Sequence, residues 1–177
     1  MKNIFSACHA LAPALLVAVL CGCGYHMAGH SNHLPENVRV LAVPTFLNQT
    51  QTYGVEQLLT RDVVREFIDR THYRVLSAAG DSADATLKGT VVSAQTAPLT
   101  YDPQTGRISS SLVTVTMKVS LVDRGGRVLF ENLNYAFREQ YQVSANATSF
   151  FSEETPALQR MSRDFARTLV SDVLEGF

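Results

Sequence analysis

Val113-Thr114-Val115-Thr116-Met117-Lys118-Val119-Ser120-Leu121 alternates apolar and polar residues without a break. Successive side chains of a strand point to opposite faces, so the run puts all its apolar residues on one side and all its polar ones on the other. A strand with one dry and one wet face belongs to an antiparallel sheet that is covered on one side. The rest of the chain has to supply that cover.

Toward the C-terminus, Asp123-Arg124-Gly125-Gly126 makes a hairpin turn. A return strand starts at Arg127. Val128 and Phe130 share one face, whereas Leu133, Tyr135 and Phe137 fall on the other, so the period slips near Glu131-Asn132 and a β-bulge is expected there. Tyr135, Phe137 and Tyr141 alternate as sheet residues do and read as core or sheet cover rather than a ligand platform. Asn146 to Ser152 reads as a loop. Within it, Phe150 and Phe151 are core plugs or, alternatively, part of a partner-facing patch. Pro156 suits the first turn of a helix with Thr155 as its cap. Leu158, Met161, Phe165, Leu169, Val173 and Leu174 give that helix an apolar stripe.

Toward the N-terminus, Tyr101 to Arg107 is a turn by its Asp-Pro and Gly content, and Leu87 to Ala97 is a strand with Gly89 as a weak point or bulge. Ser77 to Asp84 is a loop and Tyr73 to Leu76 a short strand. Before it, Val55, Leu58, Leu59, Val63, Phe67 and Ile68 recur at helical spacing. Glu56, Arg61, Asp62, Arg65, Glu66 and Asp69 fill the other face, with Glu66 and Arg70 as an i,i+4 pair. Asn48 to Gly54 is a loop, and the β-branched run Val38 to Pro44 is a buried strand ended by proline. The predicted fold is α+β: a two-layer sandwich with two amphipathic helices on one face of a mixed, mostly antiparallel sheet of about four to five strands.

The first residues follow another logic. A short start carrying Lys2 leads into a mostly apolar run from Ala10 to Leu20, interrupted by Pro13 and closed by Leu20-Cys21-Gly22-Cys23. That is the layout of a lipoprotein signal peptide over residues 1–22, too short and too weakly flanked for a spanning helix. Small residues before the cysteine favour a cut between Gly22 and Cys23, making Cys23 the lipidated first residue. Cys21 is disfavoured by the bulky Leu20 before it, and an ordinary secretory peptide cut elsewhere is the competing reading. Residues 23–37 are polar and small, a tether, and residues 38–177 form a single domain. Several acyl chains (diacylglycerol and palmitate) on one cysteine would hold the body firmly at a bilayer.

Removing 22 residues from 177 leaves 155, enough for one domain with a real core. All 16 acidic residues and 14 of the 15 basic ones lie in that part, a net charge of about −2, so no general nucleic-acid binder is indicated. With Cys8 and Cys21 removed and Cys23 acylated, no thiol remains for disulfides, nucleophilic catalysis or metal ligation. No G-x-S-x-G, H-E-x-x-H or phosphate-loop pattern occurs, so no catalytic residue, cofactor or enzymatic activity is expected. His26, His30 and His33 have the spacing of metal ligands on a helix, but Gly29 and Asn32 among them and the lack of apolar support favour a polar linker over a metal site.

Cys23-Gly24-Tyr25-His26 resembles the C-G-[FY]-H start of mature proteins of the LptE family. Val38 to Pro44 with Phe46 and Asn48, the helix from Val55, and Ala83-Asp84 leading into Leu87-Lys88-Gly89 resemble it too, in the same order. The resemblance implies a lipoprotein anchored on the periplasmic side of the outer membrane that plugs an LptD β-barrel. It would assist that barrel's assembly and the passage of lipopolysaccharide to the outer leaflet. Gly24, rather than aspartate, after the cysteine is compatible with that destination. The resemblance also implies lipopolysaccharide contact through basic residues at one end. Arg107 matches the one in the turn between the middle strands, where a guanidinium suits bidentate phosphate contact. A solvated turn arginine is the alternative for the same residue. The second basic position has no counterpart, because Val143 to Thr155 contains no Lys or Arg. Val40 to Phe46 with Asn48 and a helix also resembles the opening of LpoB-like lipoproteins that regulate peptidoglycan synthases. That scaffold would favour more helix after Leu87, where this chain continues strand after strand to Val143.

Overall fold

A computed structural model describes residues 34–35, 38–143 and 154–175. The expected signal peptide, Cys23, His26, His30, His33, Phe150 and Phe151 lie outside the described residues.

The elements are β1 (Val40–Ala42), β2 (Leu47–Asn48), α1 (Val55–Arg70), β3 (Arg74–Leu76), β4 (Ala85–Tyr101), β5 (Ile108–Asp123), β6 (Val128–Gln142) and α2 (Glu154–Glu175). The sheet runs β3-β1-β4-β5-β6, with β2 paired to β4 beside it. β1 and β2 lie parallel to β4, one after the other, on the edge that β5 does not use. The long pairs β4·β5 and β5·β6 are antiparallel. The α+β sandwich is thus the expected one, with six strands among the described residues rather than four to five. The addition is β2, a two-residue strand inside the stretch read as a loop, too short for any periodicity to reveal.

β5 follows its alternation to the letter: Val113, Val115, Met117, Val119 and Leu121 are all buried. In β6, Met117 faces Tyr135 while Val119 faces Asn132, so one extra residue sits between them. This is the expected bulge, and it brings both Phe130 and Tyr135 to the core side. Leu133 lies inside the bulge and points away, 58% exposed, instead of joining Tyr135 and Phe137. The aromatic pair packs on α2: Phe165 meets Phe137 edge-on at 5.0 Å between centroids and Tyr135 at 6.2 Å.

α1 starts at Gly54, whose φ of 79° only glycine adopts without strain. It ends at Thr71, whose backbone N–H and hydroxyl both donate to the carbonyl of Phe67. Val55, Leu59, Val63 and Phe67 are buried as expected, but Ile68 is 56% exposed and Asp62 only 5%. The reason lies on the neighbouring helix. Ser162 of α2 is fully buried against α1 and donates its hydroxyl to Asp62, whose other oxygen accepts from Arg61 at 3.0 Å. A satisfied carboxylate is tolerated there; an unpaired one would not be. α1 and α2 also meet through Arg70 and Ser171 at 2.7 Å, and the Glu66–Arg70 pair forms at 3.7 Å. Thr155 already lies within α2, so it is not the cap, although Pro156 does occupy the first turn.

Gly89 is not a bulge. The first irregularity of β4 falls at Val92, between Val91 and Ser93, and the others lie further on, from Pro98 to Tyr101. A Cβ on Gly89 would sit 2.7 Å from the ring of Phe46, which is buried and crosses the strand there. Glycine is needed for that close approach.

Candidate interaction site

Two surfaces remain uncovered by this packing. The first is the far end of the β4–β5 hairpin. Up to Val91 the core-facing residues of β4 are buried, but every residue from Gln95 to Tyr101 is exposed. Helix α2 begins at this boundary, where Thr96 donates its hydroxyl to Glu154 at 3.0 Å. Beyond it the strands hold themselves together by register and by hydroxyl contacts of Thr100 with Ser109 and Ser110 at 2.7 and 2.6 Å. Irregular register at Pro98, Thr100 and Tyr101 twists the end of the ladder.

The turn itself is built by Asp102. Its Oδ1 accepts from the backbone N–H groups of Gln104 at 2.8 Å and Thr105 at 2.9 Å. Those bonds, Thr105 first, hold its carboxyl below the usual carboxylate range. Gly106 closes the turn at φ 66°. Arg107 therefore sits at the extreme tip, exposed, and its guanidinium makes no ion pair among the described residues. Beside it in the same end are Leu99 at 48% and Tyr101 at 60% exposure. In the sequence, only apolar character next to a turn marks these two residues.

The opposite end of the hairpin is tied down. Asp84 accepts from the backbone N–H groups of Arg39 and Val40 at 3.0 and 2.9 Å, and Arg124 of the 123–126 turn reaches Asp84 at 3.2 Å. The N–H bonds, then the arginine, hold the Asp84 carboxyl below its ordinary value. Asp123 is lowered likewise, chiefly by the Arg127 N–H.

The second surface is the sheet face turned away from the helices. It carries Thr114, Thr116, Lys118 and Ser120 from β5, and Thr86, Lys88 and Thr90 from β4. Near its helix-covered counterpart, Tyr135 donates to Asp172, and burial, then that carboxylate, raises its phenol well above the ordinary value. Among the described residues no group of three or more His, Cys, Asp or Glu converges as metal ligands do, and no helix is long and apolar enough to cross a membrane.

A rigid core with a bare hairpin end and a broad polar face defines a small α+β module suited to docking by its surface. The chain belongs to the LptE family, described as lipopolysaccharide-assembly, whose profile matches residues 38–173. Compared by sequence with curated proteins, it has no significant match. Among solved structures it is similar to lipoprotein B of Nitrosomonas europaea, with TM-score 0.53, 16% identity and 80% of this chain against 88% of that one. A protein of Xanthomonas campestris gives 0.52, 17%, 79% and 86%, and a lipoprotein of Caulobacter crescentus CB15 gives 0.52, 12%, 74% and 87%. At these identities the similarity concerns the fold.

Proposed function

We propose that this protein is an outer-membrane lipoprotein, acylated on Cys23, that sits in the lumen of an LptD-type β-barrel. There it helps the barrel assemble and lipopolysaccharide reach the outer leaflet. The role is non-enzymatic. The observation that carries the reading is the family match over 38–173, which takes in every strand and nearly all of both helices. The geometry supports it. The 17 residues of β4 extend over about 55 Å at ~3.3 Å each, more than the ~25 Å apolar band of an outer-membrane barrel. The body is therefore long enough to reach through such a barrel, and its hydroxyl-bearing face suits a polar lumen. Three consecutive long strands from Ala85 to Gln142 favour this over a synthase regulator.

Arg107, exposed at the tip, is the residue assigned to lipopolysaccharide phosphate, for which a free guanidinium offers paired N–H donors. Depletion of the protein tests the proposal. The barrel partner should be lost or misfolded, with less lipopolysaccharide at the surface. Normal barrel levels together with normal surface lipopolysaccharide would refute it.

A further inference from the structure

The open sheet face has an uneven charge. Arg74 of β3, Lys88 of β4, Lys118 of β5 and Arg138 of β6 are all exposed. The register puts them on the same side, since Arg74 pairs with Val40, Lys88 with Ser120, Lys118 with Thr90 and Arg138 with Thr114. Ala42, two residues after Val40, pairs with Thr86, which carries the first strands onto the side of Lys88. Each of these four strands thus contributes one cation. Glu131, opposite Ser120, is the one carboxylate that the strand registers add to this face among the described residues. Glu139 has the other parity and is held by Arg160 of α2 at 2.7 Å.

Ion pairing leans the same way, although Arg65, Arg107 and Arg163 of the helices and turns are also unpaired among the described residues. Six arginines of the helices and turns pair with carboxylates, whereas none of the four sheet-face cations does among the described residues. The chain as a whole carries a formal charge of −1, so an excess of positive charge here is a segregation rather than a composition effect. The cations are also dispersed. Along β5, the positions facing Lys88 and Arg138 are six residues apart, about 20 Å. A single phosphate group needs convergent donors, which this face does not offer. A broad surface carrying spaced carboxylates and amides does match it, with the threonines and serines between the cations supplying hydrogen bonds.

We infer that this open face, and not the helix side, is the surface that meets the partner, and that the partner's wall presents carboxylates opposite Arg74, Lys88, Lys118 and Arg138. This inference rests on the barrel reading above. Its test uses the full-length chain in the cell, with a photo-reactive residue at Thr116 or Lys118 on the open face and, separately, at Arg163 or Arg167 on the exposed side of α2. The open-face positions should give adducts with the large outer-membrane barrel at yields roughly fivefold or more above the α2 positions. Barrel adducts formed mainly from α2 would overturn the face assignment while leaving the barrel reading intact. Open-face adducts with lipopolysaccharide instead of protein would overturn the partner class. No barrel adduct from any of the four positions would remove both this inference and the reading beneath it. In parallel, K88E/K118E should lower the amount of co-purified barrel about tenfold, more strongly at low salt, with R163E/R167E unchanged. Circular dichroism verifies that each variant folds. Undiminished co-purification of a folded K88E/K118E would contradict the inference, and if that variant does not fold the adduct pattern decides.

Discussion

The two halves of the β4–β5 hairpin share one ladder and differ in everything else. From Ala85 to Val91, β4 turns Leu87, Gly89 and Val91 under the helices and is bounded by Asp84 and Arg124. From Gln95 to Tyr101 the same strand has no helix over it among the described residues and leaves Leu99 and Tyr101 in the open. Ladder hydrogen bonds set the shape of the tip, while buried apolar area sets the stability of the base. A tip freed from packing duty can carry residues chosen for contact.

The largest effect expected from this division is in the core. Phe165→Ala removes the ring that Phe137 and Tyr135 pack on and should cost about 3–5 kcal/mol in urea denaturation. Tyr101→Ala at the tip should stay within about 0.5 kcal/mol. Equal losses at the two positions would show that tip and base are stabilised alike. Gly89→Ala, whose new methyl meets the Phe46 ring at 2.7 Å, should cost about 1–3 kcal/mol at the base. Part of that should return when Phe46→Leu is added, since the two positions share one space. Asp62→Ala leaves the buried Ser162 hydroxyl without its carboxylate and should cost about 1–3 kcal/mol by the same assay.

A smaller effect depends on pH. Asp84 at the base and Asp102 and Asp123 at the turns all have carboxyls lowered by folding. The unfolded chain therefore binds more protons than the native one in acid. The stability these groups supply is complete above the unfolded value of about 3.9 and fades as pH falls through their lower native values. Thermal midpoints should be flat across neutral pH with respect to these groups and decline below about pH 4. An Asp84→Asn variant should show a shallower acid decline than the parent. The smallest stability change is expected for Arg107→Ala, within about 0.5 kcal/mol, while its retention of lipopolysaccharide in a pull-down should fall. An unchanged pull-down would return Arg107 to the status of a solvated turn residue.

Much of this was legible in the sequence where the pattern is local. The alternation of Val113 to Leu121 determines one buried face whatever lies over it, and the phase slip from Phe130 to Tyr135 betrays a bulge without any knowledge of the partner strand. Features set by two distant segments were not legible. Asp62 looks like a surface residue of α1 until Ser162, one hundred positions later, is placed against it. Gly89 looks like a weakness until Phe46 is laid across it. β2 forms only because Thr90 and Val91 of β4 offer Leu47 and Asn48 a partner edge. The candidate site divides in the same way. That Arg107 falls in a turn was legible from Asp102, Pro103 and Gly106, and its assignment to lipopolysaccharide comes from the family resemblance alone, whereas the common face of Arg74, Lys88, Lys118 and Arg138 emerges only from the register of separate strands.

The most direct test of the barrel role is to extract the native full-length protein in a mild detergent, isolate it by an affinity tag and weigh what comes with it. One large outer-membrane β-barrel should come with it in equimolar amount. Recovery of the protein alone, or with a peptidoglycan synthase in place of the barrel, would contradict the barrel role.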